Sequence, residues 1–288
     1  LLSYLHTPIQ EIHDRILESA EIRLFIKRED LNHPWVSGNK WWKLKYNLED
    51  AHHHGKNTLL TFGGAFSNHI YAVAAAAYEL KIQSIGIIRG EETSPLNPTL
   101  RFATHKGMNL HYISRETYRK KSDQHFIDQL RDQFGDFYLI PEGGSNALAV
   151  KGVQEFAHML DIDFDCLCCP VGTGGTLAGV IQGLRGKKKI LGFSALKDGA
   201  FLNEEVRKLG VNYTNWEIIT AYHFGGYAKS TEALLQFIDD FKNQHHVPLE
   251  FIYTGKMISG IFDLATKGFF KKGSILLAIH TGGIHQSV

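Results

Sequence analysis

Cysteine is scarce in this sequence, and what there is does not pair off. Three cysteines occur in 288 residues, all inside the apolar run Cys166-Leu167-Cys168-Cys169-Pro170-Val171. An odd number packed into one strand-like segment is no disulfide framework. Cys-x-Cys-Cys without a second ligand cluster is equally poor for zinc. Buried thiols in a reducing cytoplasm are the expectation. Long apolar runs are missing too, since none reaches the roughly 18 residues that suggest a bilayer span. The N-terminus lacks a signal-peptide pattern, and with Leu1 in place of an initiator methionine a few preceding residues are expected. Neither sign of charge is in excess. A formal net charge of +1 gives no electrostatic footing for nucleic acid or an anionic membrane. The densest basic run, Lys187-Lys188-Lys189, reads as a solvated loop. No internal repeat, low-complexity tract or linker stands out.

What is present is a globular composition. With 43% hydrophobic residues and 28 glycines, the chain suits one large domain or two moderate ones around a sizeable core. Residues 22–26, 58–62, 84–88, 110–113, 137–140, 166–171, 190–193, 217–221 and 275–280 read as strands. Helical patterns follow Lys40 and cover 72–77, 98–106, 126–134, 156–160 and 177–184. Strands alternating with helices predict an α/β fold with parallel sheets.

Several strand-to-helix turns carry unusual chemistry. In Ser37-Gly38-Asn39-Lys40 a turn runs into a helical pattern, with Trp41, Leu44, Leu48 and Ala51 on one face. A lysine at the mouth of such a loop can be reached by a small molecule, although Lys40 is also one of 31 basic residues. In Gly172-Thr173-Gly174-Gly175-Thr176, glycines let backbone N–H groups converge at a helix start, the makings of a phosphate cradle. It lacks the Walker lysine and is not GxGxxG, so neither an NTPase nor a dinucleotide site is indicated. A plain structural turn is the alternative. Gly63-Gly64-Ala65-Phe66-Ser67-Asn68-His69 occupies the same strand-to-helix position. Its Ser67 and Asn68 are either helix caps or donors to a carboxylate. Ligands of open α/β sheets sit beyond the carboxyl ends of strands, where both loops fall. Tyr253-Thr254-Gly255-Lys256 and His280-Thr281-Gly282-Gly283 add two more loop ends. His52-His53-His54 reads as a polar helix end.

Six segments in order then resemble one family: Ser37-Gly38-Asn39-Lys40, Ser67-Asn68-His69, Glu142-Gly143-Gly144-Ser145-Asn146, the Gly172 loop, Tyr253-Thr254-Gly255-Lys256 and His280-Thr281-Gly282-Gly283. The chain is similar, from about Lys27 to Gly283, to the D-cysteine desulfhydrase and 1-aminocyclopropane-1-carboxylate (ACC) deaminase family. That resemblance implies pyridoxal 5'-phosphate (PLP) as cofactor and the two-domain α/β fold of PLP-dependent fold type II, tryptophan-synthase-β-like, each domain an open, mostly parallel sheet flanked by helices. It implies a large PLP-binding domain from residues 1–45 and 150–288 and a small domain from 46–149. Lys40 would carry the cofactor as a Schiff base and later move the substrate proton. Asn68 would meet the phenolic oxygen and Thr281 the pyridine nitrogen, while Gly172, Thr173, Gly174, Gly175 and Thr176 would hold the phosphate. Ser67, Asn68 and His69 would bind the substrate, with Tyr253 beside the ring and Tyr227 as a second active-site tyrosine. Catalysis would rest on Lys40, Tyr253 and Ser67. No metal is expected; a small amino acid is the expected partner and a homodimer the expected assembly.

Within the family, the deaminases pair a glutamate after the tyrosine with a leucine after the last histidine, and carry glutamine at the place of His69. Thr254, Thr281 and His69 stand here instead. The resemblance therefore implies a desulfhydrase-like lyase that releases ammonia, a keto acid and, from a thiol substrate, sulfide. ACC deaminase is the alternative enzyme, and a PLP-binding protein without turnover is the alternative of another class. Tyr71, Phe66 and the pair Trp41-Trp42 depart from the family pattern beside these motifs, and the chain is shorter than typical members after Gly183.

Overall fold

Cys166–Val171 is buried at all six positions, as a strand covered on both faces must be. It is the middle of the larger sheet. The computed structural model describes residues 2–92 and 94–286, and among them ten strands form two sheets. The strands are β1 (Ile9–Ile12), β2 (Arg23–Lys27), β3 (Thr58–Gly63), β4 (Gln83–Arg89), β5 (Met108–Ile113), β6 (Tyr138–Ile140), β7 (Cys166–Val171), β8 (Lys189–Ser194), β9 (Trp216–Ile219) and β10 (Ile275–Ile279). The larger sheet has the order β1-β2-β10-β7-β8-β9 and the smaller β5-β4-β3-β6. Every pairing is parallel except β1 with β2. This is the expected α/β architecture with mostly parallel sheets and flanking helices.

One apolar core reaches across both sheets, joining Leu59 and Ile88 of the smaller to Leu167 and Leu277 of the larger. The helix Asn39–His53 runs through it with Trp41, Trp42, Leu44, Leu48 and Ala51 buried, the face its periodicity predicts. It ends in the histidine triplet, with His54 as C-cap.

Two long helices and one strand are among the elements that escaped the sequence reading. Thr254–Thr266 was expected only as a loop end; ten of its thirteen residues are buried, so it has almost no polar face to produce a visible period. Glu232–His245 was likewise unread, as was β1, a four-residue edge strand. Cys166, Cys168 and Cys169 are free and buried. Among the described residues no cluster of histidine, cysteine and carboxylate side chains could hold a metal, and no helix is long and apolar enough to cross a membrane.

Candidate active site

The carboxyl ends of β3, β7 and β10 open onto a cavity of about 850 Å³. Its wall brings together Lys40, Ser67, Asn68, His69, Tyr227, Tyr253 and Thr281 with Gly172, Thr173, Gly174 and Thr176. Residues as far apart in sequence as Lys40 and Thr281 thus share one space, because parallel strands end on the same side. Gly175 sits just behind this wall.

The turn before Lys40 is held tightly. Gly38 N–H donates to the Glu29 carbonyl at 2.9 Å and to Asn32 Oδ1 at 2.9 Å. Gly38 has φ of +69°, and a Cβ there would overlap the Thr281 carbonyl oxygen. Only glycine lets the lysine turn and the β10 loop close on each other. The departures Trp41 and Trp42 point the other way: Trp41 Nε1 donates to the Ser3 carbonyl at 2.7 Å and Trp42 Nε1 to Glu29 Oε2 at 2.6 Å. Tyr71 also lies outside the cavity, stacked at 3.7 Å on both Phe102 and His285.

Besides Lys121, two lysines reach the cavity, Lys40 and Lys43. Burial lowers the Lys40 amine to about 8, against a small opposing influence of Cys169. Lys43 is pushed well below the usual lysine range, first by burial and then by the charge of Lys40. Both therefore lean toward the neutral amine. Lys43 went unremarked in the sequence, although its three-residue spacing from Lys40 sets both on one helix face.

Lys43 faces the glycine loop. The helix Gly175–Leu184 begins after Gly174, whose φ is +83°, and no side chain caps it. Lys43 Nζ donates to Ser145 Oγ at 3.0 Å, and Ser145 Oγ lies 2.6 Å from Thr173 Oγ1. A Cβ on Gly175 would stand 2.6 Å from Ser145 Oγ and 3.0 Å from Lys43 Nζ, so any larger residue would fill the seat. Asn39 Nδ2 donates to Thr176 Oγ1 at 2.7 Å, tying this loop to the lysine turn. Open helix N–H groups beside an amine are an anion seat.

On the opposite wall, the helix Asn68–Leu80 is capped by Ser67, whose Oγ accepts from Ile70 N–H at 3.2 Å. The serine is thus a cap, and its own proton is still available to a ligand. His69 is 2% exposed. Its Nε2 lies 2.8 Å from Thr61 Oγ1, while Nδ1 has no hydrogen-bond partner.

Tyr253 presses on the glycine loop: a Cβ on Gly172 would stand 2.9 Å from its ring. Burial first, then Tyr227 and Glu250, raise its phenol well above the usual range, so it stays a donor. Tyr227 is 6.2 Å away, ring to ring, and its hydroxyl donates to the Phe66 carbonyl at 3.1 Å. Lys256 holds the chain around Tyr227, donating to the carbonyls of His223 at 2.8 Å and Gly226 at 2.7 Å. Thr254 and Thr281, read alike from the sequence, do not occupy alike places. Thr281 lines the cavity, but Thr254 is fully buried and its Oγ1 accepts from Glu250 N–H at 3.1 Å. Glu250, unread in the sequence, is buried and accepts from the N–H groups of Ile252, Tyr253 and Thr254 at 2.6–2.9 Å.

A family model described as "Pyridoxal-phosphate dependent enzyme" matches residues 2–282. The bifunctional D-cysteine desulfhydrase/ACC deaminase of Arabidopsis thaliana is 31% identical over 311 residues, covering 98% of this chain and 77% of that one. The D-cysteine desulfhydrase of Salmonella typhi is 26% identical over 306 residues, covering 96% and 91%. The crystal structure of an ACC deaminase homologue superposes with a TM-score of 0.82 at 29% identity, covering 98% of this chain and 91% of that one. The site fits the cofactor these comparisons imply, having an anion seat at one end and, at the other, an amine that burial makes easier to deprotonate than a solvated lysine. The chain belongs to the pyridoxal-phosphate-dependent enzyme family.

Proposed function

We propose that the chain is a lyase of the D-cysteine desulfhydrase type, eliminating a β-substituent from a small amino acid and releasing ammonia and a keto acid. The observation that carries this reading is the meeting of Lys40 with a second, carboxylate-sized recognition surface, Ser67-Asn68-His69, in one cavity. Cofactor storage alone needs no such surface, which weighs against a binding protein without turnover. When bound, PLP supplies an electron sink for charge developing at the substrate Cα.

The residues divide the remaining work. Lys40, with its amine lowered to about 8 by burial, bonds the cofactor and then moves the proton at Cα. Lys43 and the open start of the helix Gly175–Leu184 hold the phosphate, with Thr173 and Thr176. Asn68 would meet the phenolic oxygen and Thr281 the ring nitrogen. Thr281 is a hydroxyl and cannot keep a proton on that nitrogen as a carboxylate would. Ser67 and the helix N–H groups behind it hold the substrate carboxylate. His69 takes a donor, because its free Nδ1 is an acceptor. Tyr253, a protonated phenol, delivers its proton toward the leaving group. The three free thiols support a reducing, cytoplasmic setting. Keto-acid release from D- and L-cysteine, β-chloroalanine and ACC tests the assignment. Turnover of the β-substituted amino acids supports it, and ACC as the better substrate selects the deaminase instead.

A further inference from the structure

Lys121, Arg131, Glu142 and Glu205 line the cavity, and each has a partner of opposite charge. Lys121 lies 3.4 Å from Glu142, Arg131 lies 2.9 Å from Asp128, and Glu205 lies 2.7 Å from Lys208. Glu142 also accepts a 2.7 Å hydrogen bond from the Tyr118 hydroxyl, so the one carboxylate near Tyr118 is already engaged. Arg89, the last residue of β4, lines the same cavity. Among the described residues no carboxylate comes within 4 Å of its guanidinium, and no side-chain hydrogen bond engages it. It lies over the Tyr118 ring at 5.5 Å, and a Cβ on Gly64 would stand 3.4 Å from its terminal nitrogen.

That position has a direction. Gly63 pairs with Ile88 across β3 and β4, so Arg89 is one strand, roughly 5 Å, to the side of the turn that leads to Ser67. An amino acid whose α-carboxylate sits at Ser67 can extend its side group toward Arg89. The cavity, at about 850 Å³, is at the upper end for small-molecule sites. A partly buried arginine fork with no anion is matched to a carboxylate, sulfonate or phosphate.

We propose that Arg89 receives a second anion on the substrate, so that the enzyme takes amino acids whose β-substituent is itself anionic. This rests on the lyase reading and sharpens its substrate class. In the elimination a proton leaves Cα and the Cβ–X bond breaks with its electron pair on X. One water then completes the change to keto acid and ammonia, and X departs as HX or its anion. Arg89 holds the charge of X while that bond breaks.

The test has two arms. Binding of D- and L-aspartate against D- and L-alanine to the holoenzyme, read from cofactor absorbance, needs no turnover. Wild type should favour one aspartate enantiomer by at least about tenfold, and Arg89→Gln should erase that preference, with Arg89→Lys keeping part of it. In the second arm, kcat/KM for O-phosphoserine and S-sulfocysteine is compared with β-chloroalanine, in both enantiomers. Arg89→Gln should lower the anionic members at least about tenfold more than β-chloroalanine, mainly through KM. Equal binding of aspartate and alanine by wild type, or an equal loss on every substrate in Arg89→Gln, overturns the proposal. An aspartate preference without turnover of any β-substituted substrate leaves Arg89 in its role and overturns the lyase reading instead.

Discussion

His69 Nε2 lies 2.8 Å from Thr61 Oγ1, and that hydroxyl donates onward to the Ile140 carbonyl at 2.8 Å. A hydroxyl has one proton to give, so Thr61 accepts from His69, and the imidazole carries its proton on Nε2. Nδ1 is then a buried lone pair facing the cavity. Burial, then the charges of Lys40 and Lys43, hold the ring well below its usual value against a weaker pull from the Pro141 carbonyl. His69 is accordingly neutral at neutral pH. Nitrogen NMR of the holoenzyme should show an Nε2–H tautomer there. His69→Leu should lower kcat/KM by roughly tenfold, the loss of one buried hydrogen bond to a ligand donor, whereas a ring that titrates near pH 6.5 would refute the arrangement.

Lys40 sets a pH dependence of known sign. Its amine is lowered from the ordinary lysine value to about 8 by burial, and only the neutral amine bonds an aldehyde. Capture of PLP by apoenzyme should therefore speed up about tenfold per pH unit below 8 and level off above it. Stopped-flow absorbance measures this. Lys40→Ala should abolish capture and lower turnover by at least about 10²-fold, and borohydride should fix the pyridoxyl group on Lys40. An adduct on Lys43 or Lys256 would contradict the assignment.

For the phosphate, a cradle built mainly of backbone donors was expected, and Lys43 would add a side chain to it. Lys43→Met should weaken cofactor binding by about 2 kcal/mol, as for a hydrogen bond to a charged group. Thr176→Ala should cost about 1 kcal/mol. Gly175→Val should be worse than either, since its side chain would occupy the space beside Ser145 Oγ and Lys43 Nζ. Dissociation constants from equilibrium dialysis rank the three, and equal small effects would speak against an anion seat here.

Thr254 and Thr281 should behave differently. Thr254→Glu drives a carboxylate into a fully buried position beside Glu250, whose own carboxyl burial already raises. It should cost about 3 kcal/mol or more in stability, read as a lowered Tm. Thr281→Leu changes the cavity wall and should act on turnover with a smaller effect on Tm. Similar Tm values for both variants would contradict the burial contrast.

How far the sequence carried depends on where the signal lies. Lys40, the Gly172 loop and Ser67 sit at strand-to-helix junctions, which composition and glycine mark plainly. Lys43, Glu250 and Arg89 carry no local mark, because their meaning comes from what faces them across the cavity or in the core. Thr254–Thr266 went unread for a related reason, since only Ser259, Asp263 and Thr266 of its thirteen residues escape burial and so narrow a stripe gives little period. Trp41 and Trp42 looked like departures within the site, yet their indoles turn to Ser3 and Glu29. Sequence adjacency to Lys40 was no guide to the direction of a side chain on a helix.

Reaction choice is the centre of the account. Thr281 lines the cavity as a hydroxyl; at the ring nitrogen, as proposed, it would leave a weaker electron sink than a carboxylate, and expulsion of a good β-leaving group would demand less of that sink than opening a cyclopropane. Keto-acid release by the holoenzyme, measured side by side on D-cysteine, β-chloroalanine and ACC, tests this most directly. We expect turnover of at least one β-substituted amino acid, with ACC processed poorly or not at all; faster turnover of ACC than of every β-substituted amino acid would contradict it.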